Sequence, residues 1–104
     1  MPHTTSERDF KNKVLKSKRP VLVNFWSVWD DLSKASKPVF DRVASSLKNR
    51  ADVFLLNSDE NAKITRKYNI TSFPTAVLFK DGEIIDRFNG LHPEPVYIEA
   101  VENY

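Results

Sequence analysis

Val21-Leu22-Val23-Asn24-Phe25-Trp26 is an almost unbroken run of apolar, β-branched and aromatic residues. A run of that kind and length reads as a strand covered on both faces. After it, from Asp31 to Lys48, Leu32, Ala35, Val39, Phe40, Val43, Ala44 and Leu47 recur at spacings of three and four, which draws an apolar stripe along one face of a long helix. Pro38 interrupts the stripe and lacks a backbone donor, so a kink near residues 34–38 is expected. Val53-Phe54-Leu55-Leu56 reads as a second buried strand, and Ala62 to Tyr68 as a short helix with Ile64 and Tyr68 four apart. Thr75 to Phe79 and Glu83 to Phe88 flank Asp81-Gly82, the signature of a tight antiparallel hairpin, because glycine tolerates positive φ. Upstream, Ser6 with an acid three places on resembles a weak capping box and opens a helix over about residues 7–17. Tyr97, Ile98, Val101 and Tyr104, after Pro93 and Pro95, place a last amphipathic helix. Strands alternating with helices imply βαβ crossovers, hence an α/β fold with helices on both faces of one sheet. The closing hairpin makes the sheet mixed.

Length and composition bound what such a chain does. With 104 residues it is one domain, and 40% hydrophobic residues supply its core. No apolar run approaches the roughly 18–20 residues of a membrane span, and residues 1–18 contain no apolar stretch of a secretion signal. The expectation is a cytoplasmic protein, or the mature form of an organellar one, with no membrane association. A net charge of +2 argues weakly for a polyanionic partner. The decisive count is zero cysteines: thiol nucleophiles, dithiol–disulfide exchange, thiolate metal sites and structural disulfides each need a sulfur that is missing.

Taken in order, Val21 to Trp26, Trp29 and Lys34, Pro38 in the long helix, Phe73-Pro74-Thr75 and Leu78-Phe79-Lys80-Asp81-Gly82-Glu83 resemble a thioredoxin from about residue 6 to the end. The resemblance implies a thioredoxin fold: a central mixed sheet of four to five strands, helices on both faces and a cis-Pro74. Residues 6–104 would form the domain, and residues 1–5 a flexible terminus or a vestigial first strand. Thioredoxins carry Trp-Cys-Gly-Pro-Cys-Lys where this chain has Trp29-Asp30-Asp31-Leu32-Ser33-Lys34. Both redox cysteines are replaced, and neither a carboxylate nor a hydroxyl cycles between oxidised and reduced forms. Thioredoxins usually hold a buried Asp at the position of Asn24 and a Lys at that of Leu55. With no thiol to serve, a neutral amide and a leucine cost less in a dry core than charges do. The pattern reads as natural divergence, since deliberate cysteine removal would ordinarily put serine at both positions and spare the charged pair.

In thioredoxins the backbone before the cis proline pairs with an extended target peptide, a form of strand addition. Trp29, Leu32, Phe73, Pro74, Gly90 and Leu91 map onto the rim of that groove, against the plainer reading that they are ordinary packing. Asp30 and Asp31 stand where the long helix begins, which suits capping and the helix dipole. The sharper reading is a fixed anion that recognises a cationic group. Use of the two acids as metal ligands or as an acid–base pair has little support, because adjacent helical residues diverge by about 100° and no histidine is near in sequence. His3 and His92 are too isolated for a metal site or triad, and Ser33 has no histidine nearby in sequence. Arg8, Lys11, Lys13, Lys16, Lys18 and Arg19 form a basic stretch that reads as a solvated face; phosphate contact is the alternative, without interleaved aromatics for base stacking.

The expected function is therefore that of a redox-inactive, non-enzymatic protein- or peptide-binding or scaffold module, monomeric and without cofactor or metal. Two alternatives stand beside it. One counts the chain among the disulfide oxidoreductases of redox homeostasis on family likeness alone; the other makes it a nucleic-acid-associated accessory factor.

Overall fold

The computed structural model describes residues 2–104. Its elements run β1 (His3–Thr4), α1 (Glu7–Phe10), β2 (Val21–Trp26), α2 (Asp31–Leu47), β3 (Asp52–Asn57), α3 (Ala62–Lys67), β4 (Thr75–Lys80), β5 (Glu83–Asn89) and α4 (Glu94–Glu102). The strands form one five-stranded sheet in the order β1-β3-β2-β4-β5. β3 pairs parallel with both β1 and β2, whereas β4 pairs antiparallel with β2 and β5. The Val21–Trp26 run thus lies in the middle of a mixed sheet, as the doubly covered pattern requires.

Period-two alternation divides the core. Leu22, Val53, Ala76 and Leu78 point to a cluster with Phe40, Val43, Leu47 of α2 and Tyr97, Val101 of α4. Val21, Val23, Phe25, Phe54, Leu56, Val77 and Phe79 point to the opposite cluster with Phe10, Val14 and Ile70. Side chains two apart on a strand share a face, so Asn24 lies on the α2 side with Leu22. Leu55, opposite Asn24 in register, packs on that side too.

Two local expectations, at Ser6 and along the first helix, differ in detail. The Ser6 side chain makes no cap bond. Instead, α1 and α3 cap each other: Asn61 Oδ1 accepts from Glu7 N at 3.0 Å, and Glu7 Oε1 accepts from Ile64 N at 3.1 Å. The first helix does not stay α-helical to residue 17; residues Lys11–Leu15 widen, with Lys16 N donating to Lys11 O at 2.9 Å, a five-residue spacing. At the N-terminus, His3 and Thr4 pair with Phe54 and Leu55 as an edge strand; of residues 1–5, Met1 lies outside the described residues. Pro38 is accommodated inside α2, which runs through it as one element of 17 residues. Asp81 (φ 53°) and Gly82 (φ 79°) both take positive φ, the primed turn that matches strand twist.

Candidate functional site

Register places the site. Phe25 pairs with Thr75, Trp26 with Asn57, and Thr75 with Asn89, so the chain leaving β2, β3 and β5 and the chain entering β4 all emerge at one edge of the sheet. Segments 27–30, 58–61, 71–74 and 90–92 therefore converge there, and α2 begins among them.

Asp30, extended at φ −115°, caps α2: its Oδ1 accepts from Ser33 N at 2.8 Å. This satisfies one of the free donors of the first turn and opposes the positive end of the helix. Asp31 is the first helical residue, exposed, and joins none of the ion pairs among the described residues, which link Lys13 to Asp9, Arg19 to Asp52, Arg42 to Glu94 and Arg50 to Glu102. Trp29 is 86% exposed and Leu32 54%. Lys34 is also exposed, while Ser33 is fully buried.

Behind this surface runs a neutral polar chain. Ser33 Oγ accepts from Ser27 N at 3.1 Å, Ser36 Oγ donates to Ser33 O at 2.6 Å, and Asn24 Nδ2 donates to Ser36 Oγ at 3.1 Å. Asn24 Oδ1, buried, has no partner among the described residues. Asn24 and Leu55 are neighbours in register, so the two positions where the sequence lacks a charged pair form one uncharged spot beneath the start of α2.

Sequence reasoning missed Asp59 and Ser36. The Asp59 carboxylate accepts from Ser27 Oγ at 3.0 and 3.1 Å and from Val28 N at 2.9 Å, which clamps the loop that presents Trp29. An acid just past the end of β3 was the available signal, but only the pairing of β2 with β3 brings it to residue 27. Ser36 lies on the apolar stripe of α2 as a polar exception, and its parity with Asn24 is visible only once both elements are placed.

On the other side, the Phe73–Pro74 peptide bond is cis. Gly90 N donates to Pro74 O at 2.8 Å, and Thr75 Oγ1 donates to Ser72 O at 2.8 Å, tying the 72–75 and 89–91 segments together. Pro74 is buried rather than displayed on a rim. The Phe73 side chain packs partly into the α1–α3 core cluster, yet neither its amide nor its carbonyl has a backbone partner among the described residues. Gly90 and Leu91 are half-buried. His92 has a packing role: its amide donates to the Tyr97 hydroxyl at 2.9 Å and its ring packs edgewise on Phe88 and Tyr97. Burial pushes the Tyr97 hydroxyl above its ordinary pKa, and the His92 amide bond partly opposes that rise.

A cleft of about 400 Å³ opens near Trp26, walled by residues including Thr5, Leu55, Asn57 and Glu60, but neither Trp29 nor Phe73 lines it. Among the described residues no group of three or more His, Asp and Glu is placed to hold a metal ion, and no helix is long and apolar enough to cross a membrane. Of the basic stretch, Lys13 pairs with Asp9 at 3.5 Å, and Arg19 with Asp52 at 3.1 Å; Lys11, Lys16 and Lys18 are exposed.

Comparison with known proteins gives a consistent set of relatives. A family model described as Thioredoxin matches residues 1–103. A thioredoxin of Rickettsia bellii (strain RML369-C) is 38% identical over 103 residues, covering 99% of this chain and 98% of the relative. A thioredoxin of Rickettsia felis is 41% identical over 91 residues, 88% of this chain and 87% of the relative. A chloroplastic M-type thioredoxin of Chlamydomonas reinhardtii is 37% identical over 95 residues, 91% of this chain and 68% of the relative.

Proposed function

This chain belongs to the thioredoxin family, and from that premise we propose that it works as a redox-inactive binding module, taking an extended segment of a partner protein into the groove between the start of α2 and the 73–74 loop. The observation that carries the reading is a Phe73 backbone with no backbone partner among the described residues, at the same end of the sheet as a loop that holds Trp29 86% exposed. A backbone amide and carbonyl with no partner among the described residues can pair with one residue of an added strand, and an exposed indole offers apolar cover for its side chains. Catalysis by this chain is not part of the proposal. With no cysteine there is no thiolate to attack a disulfide and none to resolve a mixed one, so likeness to thioredoxins does not carry their dithiol chemistry over.

Two measurements test this. In an insulin-reduction assay with dithiothreitol, the chain should give the rate of the protein-free blank. Affinity capture of partners should fall at least about tenfold with Trp29→Ala, an effect typical of an interface anchor. Equal capture by the parent chain and by Trp29→Ala would refute the groove.

A further inference from the structure

Trp29, Leu32 and Val28 are 86%, 54% and 39% exposed, so three large apolar side chains stand in water on one short loop and the first turn of α2. Carboxylates surround them. Asp31 is exposed and outside every ion pair of the described residues. Asp30 uses one oxygen on the Ser33 amide, and Asp59 reaches the Val28 amide at 2.9 Å. The nearby cations answer this charge incompletely. Lys37 holds its ammonium 4.3 Å over the Trp26 ring, and exposed Lys34 joins none of the ion pairs of the described residues. Because the whole chain carries +2, the acidity of this lip is local and not a property of the general surface.

Resting on the groove reading above, we propose that the occupant is an extended peptide segment in which lysine or arginine residues alternate with apolar ones. Its apolar side chains cover Trp29 and Leu32, one residue pairs with the Phe73 backbone, and its cations face Asp31 and the outer oxygen of Asp30. Apolar cover supplies most of the affinity, and complementary charge at the rim selects among peptides of equal apolar content.

The test titrates the isotopically labelled full chain with three short blocked peptides of identical apolar residues whose polar positions are all lysine, all glutamine or all glutamate, following the amide shifts of Trp29, Leu32, Phe73 and Gly90. The lysine peptide should bind about fivefold tighter than the glutamine one, the scale of an exposed ion pair, and the glutamate peptide should bind weakest. The spread should narrow in about 0.5 M salt. Asp31→Asn should also narrow it, while Asp31→Glu should keep it. Equal binding of all three at these amides, or tighter binding of the glutamate peptide, would overturn the charge preference and leave the groove standing. If none of the peptides moves these amides, the groove reading itself fails and this inference with it.

Discussion

Asn24 carries a neutral amide between Leu55 and Ala76 on the flanking strands, with one hydrogen bond to Ser36 and a carbonyl oxygen that no donor among the described residues reaches. An amide tolerates that deficit better than a carboxylate, whose charge would be desolvated without a partner. Asn24→Asp should therefore lower unfolding stability by about 3 kcal/mol at neutral pH. The sign of its pH dependence follows from burial, which raises a carboxyl pKa in the folded state above the unfolded value of about 3.9. Below that value both states are protonated and the charge penalty is absent; it grows as pH rises through and beyond it. Urea unfolding of variant and parent at both ends of this range checks the prediction, and a deficit unchanged by pH would contradict it. That a neutral pair replaces two charges was legible in the sequence once the likeness was drawn. That Ser36, rather than Ser33, receives the Asn24 amide was not, because it depends on which turn of α2 lies over β2.

The helix α2 and the loops around its start show which parts of an element are local. Its bounds, Asp31–Leu47, follow from the apolar stripe and an acid placed to cap it, and both are read along a single stretch of chain. Asp30→Ala should cost about 1 kcal/mol of stability, the usual loss for a cap. Asp59→Ala acts on a different element, since it removes the acceptor of Ser27 Oγ and Val28 N. Hydrogen exchange should then speed up at Val28 and Trp29, while amides of β2 and β4 keep their protection. Uniform acceleration across the sheet would mean that Asp59 holds the fold and not the loop. The failed expectation at Ser6 has the same lesson. A serine before an acidic turn is a local signal, but Asn61 and Glu7 reach across from α3 and α1 to cap each other, and a contact between residues 54 apart has no local signature.

Across the whole molecule the two core clusters sit on opposite faces of the sheet, and Tyr97, at 0% exposure, joins one of them to the 90–92 loop through the His92 amide. Burial raises the pKa of both Tyr97 and Tyr68. A proton held more tightly in the folded state adds stability that is intact below the unfolded value of about 10 and is lost as pH climbs past it. Thermal melts should accordingly fall off above about pH 10. Tyr97→Phe should flatten that fall while costing about 1 kcal/mol at neutral pH by leaving the His92 amide unbonded; an unchanged alkaline profile would show that Tyr97 does not contribute. The sequence by itself determined the strand and helix types, the central place of Val21–Trp26, the turn at Asp81-Gly82 and the loss of thiol chemistry, because periodicity, glycine backbone freedom and the presence of sulfur are properties of short stretches or of composition. Only the tertiary structure decided that Asp59 clamps the Trp29 loop, that Pro74 is buried while the Phe73 backbone has no backbone partner among the described residues, and that Asp31 faces solvent outside their ion pairs. Each of these depends on strand register bringing four distant loops to one edge of the sheet, and register is fixed by packing across the whole fold.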